Sequence, residues 1–119
     1  MIEKYLHREL SALAATYGGQ APPACSTPYI VFKQVSGIDK AIDSDTDAMS
    51  DRWQIDVYAG KDYTAGRTLA KAANVALKKT GFHDQLCIYT VEIDGPEDLY
   101  DGQVEQHYQS SDLIIHYSE

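Results

Sequence analysis

The sequence predicts an α+β fold: an antiparallel four-stranded sheet, made of two hairpins, with two helices packed on one face, in the order αββαββ. Two segments repeat their apolar residues every three or four positions, as amphipathic helices do. Four other segments alternate or concentrate apolar residues as half-buried strands do. Because each helix has only one apolar side, it needs a sheet to cover. The length of 119 residues fits a single domain spanning residues 1–119.

The first half of the chain contains the first predicted helix and the first hairpin. The helix is expected over residues 2–17, where it ends at a pair of glycines. Three prolines make residues 20–28 an extended connector. The strands are expected over residues 29–35 and 52–59. Residues 36–51, rich in Asp and Ser and poor in large apolar groups, form a long acidic loop between them.

The second half begins with a helix that Asp62 or Thr64 can cap. The last strand would be about 46 Å long if unbroken, so we expect a bulge or break near Ser110–Ser111. The expected helix, strand, acidic loop and last strand lie at residues 63–80, 86–93, 95–102 and 104–117.

The charge and cysteine content narrow the class of protein. Lys and Arg number 10 against 18 Asp and Glu, a formal net charge of −8, so we expect no specific nucleic-acid binding, which needs clustered cations. No segment reaches the roughly 20 apolar residues of a membrane helix, and the N-terminus has no signal-peptide pattern. Cys25 and Cys87 lack a CxxC spacing and are expected as free thiols, with Cys87 on a buried strand face.

A search for reaction chemistry finds only weak patterns. The spacing of Asp43, Asp45 and Asp47 resembles the opening of an EF-hand loop, but Ala48 and Gln54 stand where that loop needs Gly and Glu. The four histidines have no zinc-site spacing. The alternative interpretation, a solvated acidic loop with surface histidines, is favoured.

Nucleophilic and acid–base patterns are equally weak. The chain has no Gly-x-Ser-x-Gly motif. Glu92 and Asp94 share one strand face and could act as paired carboxylates, although such pairs are more often solvent contacts. The sequence therefore predicts no catalytic, cofactor-binding or metal-binding residues, and a function that comes from binding rather than catalysis.

Three segments in order resemble the tail-completion (tail-terminator) family of long-tailed bacteriophages. They are residues 27–37, residues 52–59 followed by the Ala-rich helix at 65–77, and the C-terminal strand at 106–117. The N-terminal helix and proline-containing connector also fit. The resemblance covers nearly the whole chain, and its specificity lies in the order of the segments.

The resemblance implies a structural virion protein involved in head–tail joining. Such subunits form an oligomeric ring, generally of six, that caps the head-proximal end of the tail tube and joins it to the head. The implied partners are other copies of the chain, the major tail-tube protein and a head-side connector protein. The implied location is the virion tail, after assembly in the host cytoplasm. No membrane contact and no cofactor are expected.

Two alternatives stay open at this stage: another head–tail connector (neck) protein of the same particle, and a binding module unrelated to phages. Either way, the acidic loop is the candidate protein-docking segment, because it is too long for a hairpin turn and holds a few isolated apolar side chains. The candidate docking residues are Ile38, Asp39, Ile42, Asp43, Asp45, Asp47 and Met49.

Overall fold

A computed structural model describes residues 2–23, 25–38, 49–103 and 106–118, with the backbone alone for residues 36–38. In chain order the elements are α1 (Ile2–Ser11), β1 (Ala15–Gly18), β2 (Tyr29–Ile38), β3 (Met49–Tyr58), α2 (Tyr63–Leu77), β4 (Gly81–His83), β5 (Leu86–Asp101) and β6 (Gln106–Ser118).

The sheet differs from the predicted one in strand number, order and direction. Within the described residues it has six strands, in the order β1-β2-β3-β6-β5-β4. β1 pairs with β2 in parallel, and the other neighbours pair antiparallel. The predicted four-stranded antiparallel sheet of order αββαββ is therefore wrong. The two strands that the sequence does not reveal, β1 and β4, are the shortest and lie at the two edges.

The predicted first helix is too long, because part of it forms β1. α1 ends at Ser11, and a turn follows in which Leu10 O accepts from the amides of Leu13 and Ala14. Residues 15–18 then pair with the start of β2. Sheet pairing gives these backbone groups partners, and this outweighs the helix propensity of the alanines before them.

The proline-containing connector is the crossover that a parallel strand pair requires. The chain leaves β1 at one end of the sheet and must return to the other end before β2 begins. Pro22 and Pro23 prevent a helix there. Of the connector's described residues, Pro22, Pro23 and Cys25 line a groove together with Tyr29 and Tyr58, on the side of the sheet away from the helices.

The hydrophobic core lies between the two helices and one face of the sheet. Trp53, Ile55 and Val57 of β3 point into it, in the alternation that the sequence predicts. From α2 the contribution is small residues and Leu77, which allows the helix to approach the sheet closely. The other buried members from α1, β2, β5 and β6 are Ile2, Tyr5, Leu6, Leu10, Ile30, Phe32, Leu86, Ile88, Leu113, Ile115 and Tyr117.

The irregularity expected on the last strand lies on its neighbour instead. β6 pairs with β3 in one unbroken register. β5 contains the extra residues, between Ile88 and Thr90 and between Asp94 and Glu97. The predicted acidic loop at 95–102 is therefore wrong, since β5 continues to Asp101, and so is the predicted break at Ser110–Ser111. A strand with bulges can bend and twist along its partner without ending.

The first of these bulges also explains where Cys87 lies. Leu86 and Ile88 face the core, and Cys87 between them faces the other side. The predicted burial of Cys87 on the core face is wrong. The prediction continues the alternation of Val91 and Ile93 back to Cys87, but the extra residue of the bulge reverses which face the preceding residues point to. Both cysteines are free and half-buried.

The second helix begins as predicted and ends earlier. Asp62 is its N-cap, and Asp62 Oδ1 accepts from the amide of Ala65 at 2.9 Å. The helix ends at Leu77, with Lys78 as the C-cap.

Neither α1 nor α2 is both long and apolar enough to cross a membrane.

Candidate assembly surfaces

Ligand-type side chains are dispersed over the described residues. No group of three His, Cys, Asp or Glu in this part of the chain could hold a metal ion. His107 and His116 of β6 lie on opposite faces of the strand. Glu92 and Asp94 are both exposed on one side of β5. Of these side chains, His107, Glu92 and Asp94 are exposed, and His116 is half-buried.

The structure describes only part of the predicted docking segment. Ile38 is the last residue of β2 and pairs with Ser50. Met49 begins β3, pairs with Tyr117 and packs half-buried against the core. Both ends of the predicted loop therefore belong to strands. Asp39, Ile42, Asp43, Asp45 and Asp47 lie outside the described residues, and their docking role stays a prediction.

A row of tyrosines crosses four neighbouring strands on the sheet face without helices, called here the open face. The open face carries the side chains of the even-numbered residues of β3 and β6. Tyr29, Tyr58 and Tyr108 are register partners, with ring centroids 4.8 Å apart in each step. Tyr17 of β1 continues the row with an edge-on contact of 6.2 Å to Tyr29. Sequence reasoning missed this row, because the tyrosine count alone does not reveal which strands pair.

Tyr29, Tyr58 and Tyr108 of the tyrosine row stay uncharged over the physiological pH range. Burial is the main cause that raises the pKa of Tyr29, Tyr58 and Tyr108 above the ordinary phenol value. Tyr58 therefore stays protonated, and its hydroxyl donates a hydrogen bond to Asp101 Oδ2, at 3.4 Å. The row acts as an apolar surface edged by hydrogen-bond donors.

A groove separates the proline-containing connector from the open face. Its volume is about 660 Å³. Pro22 and Pro23 form part of one wall, Tyr29 and Tyr58 lie along the floor, and Asp101 is on the far side. The groove is lined by both polar and apolar groups, as protein contact surfaces often are.

The part of the open face formed by β5 and β6 is acidic. Glu92, Asp94 and Glu97 of β5 are exposed there. Asp112 of β6 forms an ion pair with Arg52 of β3 at 3.3 Å. Only Arg52 of the described cations lies within ion-pair distance of these four carboxylates.

The opposite side of the molecule presents the outer side of α2, which is basic. Lys71 and Lys78 are exposed, and Val75 between them is 73% exposed. Ala73 and Leu77, on the other side of the helix, are in the core. Residues 63–77 contain no acidic side chain.

Asp98 connects α2 to β5 at the edge of the helix layer. Tyr63 Oη donates to Asp98 Oδ2 at 2.7 Å, Gln109 Nε2 donates to Oδ1 at 3.2 Å, and Arg67 Nη1 lies 3.3 Å from Oδ1. The hydrogen bond from Tyr63 is the main cause that lowers the pKa of Asp98 below its ordinary value. The same bond raises the pKa of Tyr63.

The pKa of Asp98 should depend on Tyr63. Because it is lowered in the folded state, the ionised carboxylate stabilises the fold above the ordinary Asp pKa, and this contribution is lost as the pH falls through the lowered value. We expect Tyr63→Phe to move the Asp98 titration midpoint, followed by carboxyl NMR, upwards towards that of a free aspartate. Tyr100→Phe, an exposed tyrosine of β5, is the control. An unchanged midpoint in Tyr63→Phe would refute this assignment.

Together, the described elements define a small α+β protein with one mixed sheet and two helices. Comparison with protein families identifies the particular one: the model of the tail completion protein gp17 family matches residues 6–113. The chain therefore belongs to this family of phage tail completion proteins, which confirms the resemblance found in the sequence. The match extends from α1 into β6. A search of curated proteins found no match.

Proposed function

We propose that the chain closes into a ring on the head-proximal end of the tail tube, where it ends tube growth and provides the surface that joins the head. The observation that carries this proposal is the family match over residues 6–113. The proposed partners are other copies of the chain, the major tail-tube protein and a head-side connector protein. Assembly takes place in the host cytoplasm, and the protein ends in the virion tail.

The charge of the chain sets the conditions under which such a ring forms. Each copy has a formal net charge of −8, so copies brought together repel one another in bulk. Salt screens exposed charges beyond about 10 Å at 0.1 M. The tube end supplies further contacts that bind the ring and not the free subunit, so it shifts the equilibrium by mass action.

Tube capping is tested with tubes grown from the purified major tail-tube protein of the same phage. We expect the added chain to stop tube elongation and to label one end of each tube in electron micrographs. Labelling along the sides, or no association, would contradict the proposal. A chain that binds isolated heads but not tube ends would instead be a head-side connector.

The predicted docking segment is tested in the same experiment. Ile38→Ser combined with Ile42→Ser should weaken end-labelling without unfolding the chain, because these two side chains are proposed to form part of the contact with the tube. Met49 is kept, since it packs against the core. Val35→Ser, a half-exposed apolar residue of β2, is the matched control. If the folded double variant caps tubes normally, these two side chains do not take part in docking.

A further inference from the structure

Two surfaces of opposite charge lie on opposite sides of this molecule. We propose that they bind each other between copies: the acidic face of one copy (Glu92, Asp94, Glu97 and Asp112) docks on the basic face of the next (Lys71, Val75 and Lys78). This inference rests on the proposed ring and names the contact within it. A second copy of the chain is thus the occupant of the otherwise uncovered sheet face.

The acidic face follows from the composition and register of β5. The strand carries five acidic and no basic residues. Asp98 points to the helix side and binds Arg67, whereas Glu92, Asp94 and Glu97 are paired in register with the open-face residues of β6. All three are exposed. A sheet face with this charge favours a partner that presents cations.

The acidic face also has a shape that a lysine side chain can enter. Next to the second bulge of β5 there is a hollow of about 380 Å³. Asp94, Glu97 and Asp112 contribute carboxylates to it and Ser110 contributes a hydroxyl. An ammonium group is a compact donor on a flexible stem and suits such a hollow better than a planar guanidinium.

The basic face offers lysines that the monomer does not use. Within the described residues, no carboxylate lies within ion-pair distance of Lys71 or Lys78. Lys79 beside them is paired with Glu9 at 3.5 Å. Val75, at the centre of the face, has three quarters of its surface in water although it is apolar. Covering Val75 while pairing the lysines around it would favour association.

The two faces lie on opposite sides of the sheet, so the contact between copies is head-to-tail. The basic face points away from the sheet on the helix side, and the acidic face lies on the other side of the sheet. One copy can therefore use both faces at once, which gives the head-to-tail contact that a closed ring requires. Pairing through the free edge of β5 is disfavoured, because bulges, Pro96 and acidic side chains all block strand addition.

Charge exchange tests the contact. The acid-to-base variant carries Glu92→Lys and Asp94→Lys, and the base-to-acid variant carries Lys71→Glu and Lys78→Glu. The base-to-acid variant presents two acidic faces to its own copies. The acid-to-base variant takes the formal charge of its four-residue acidic face from −4 to 0, so this face no longer attracts the basic face of the next copy. We expect the self-association constant of each, measured by sedimentation velocity and native mass spectrometry, to fall by at least about tenfold. Circular dichroism and thermal unfolding should stay as in the wild type, since all four positions are exposed.

An equimolar mixture of the two variants should recover association. In the mixture, the two new lysines on the sheet face of one variant meet the new acidic residues of the other variant's basic face, and the two remaining faces meet with wild-type charges. Glu3→Lys and Lys4→Glu, exposed on α1, serve as separate charge controls outside both faces and should leave the association constant near the wild-type value.

The net charge separates this contact from general repulsion. The acid-to-base exchanges add +2 each and change the formal net charge from −8 to −4. General repulsion alone would make this variant associate more strongly than the wild type, whereas the proposed contact makes it associate more weakly.

The outcomes distinguish this contact from tube capping. Unaltered or stronger assembly of either variant alone, or no recovery on mixing, overturns the contact and leaves capping by the wild type standing. Wild-type self-association without binding to tube ends rejects capping and leaves the contact standing. A wild-type chain that stays monomeric both in concentrated solution and on tubes overturns both.

Discussion

Gly95→Ala is expected to lower the free energy of unfolding by about 2–4 kcal/mol, because both the backbone conformation and the space at this position require glycine. The φ angle of Gly95 is +124°, which side chains with a Cβ rarely adopt. An added Cβ would lie 2.9 Å from Ser110 O and 3.0 Å from the Cα of Ser111. Both are main-chain atoms of β6, so the two strands would have to separate at the bulge.

The matched control for this change is Gly102→Ala. Nothing lies within 4 Å of a Cβ built at Gly102, in the turn after β5. We expect its unfolding free energy to stay within about 0.5 kcal/mol of the wild type. Urea titration followed by circular dichroism measures both values. Equal stability of the two variants would show that the bulge accommodates a side chain, contrary to the structure.

Leu10→Ala is expected to cost about 2–5 kcal/mol, since it removes a fully buried side chain and leaves a cavity. Leu10 has no exposed surface and lies on the buried side of α1, in the core cluster. A loss of this size is a large fraction of the 5–15 kcal/mol that stabilises a typical domain. Thermal unfolding and urea titration should both show a clear decrease in stability.

Leu13→Ala is the control for Leu10→Ala, and it also tests where the first helix ends. The apolar stripe in the sequence places Leu10 and Leu13 on one buried side of a helix that runs to Tyr17. In the structure the helix ends at Ser11 and Leu13 is 39% exposed. We therefore expect a loss of less than about 1 kcal/mol for Leu13→Ala. Comparable losses at both positions would support the longer helix.

Local patterns predict the elements of this fold that are held by local interactions. The alternation in β3 identifies its buried side. The sequence leaves Asp62 and Thr64 as candidate caps, and Asp62 is the N-cap, because capping needs only a side-chain oxygen and an amide three residues on. β1 and β4 are too short to give a period. They exist because a longer strand beside each offers backbone partners, and this information lies elsewhere in the chain.

β5 shows why a strong local signal can mislead. Gly95, Pro96 and the acids around them are typical of a loop, yet this segment pairs with β6. The bulge accommodates the glycine and the proline, and β6 supplies hydrogen-bond partners on either side of it. The same limit applies to the surfaces, since neither the tyrosine row nor the acidic face can be recognised until the pairing and register of its strands are known.

The position of β6 has a consequence for biosynthesis. β6 lies between β3 and β5, although it is the last of the three to be translated. Until Gln106–Ser118 has left the ribosome, β3 and β5 have no strand to connect them, and each exposes unpaired amide and carbonyl groups. Nascent chains of this protein should thus need protection by chaperones until this strand inserts, and prematurely terminated copies that lack it should be degraded or aggregate rather than enter the particle.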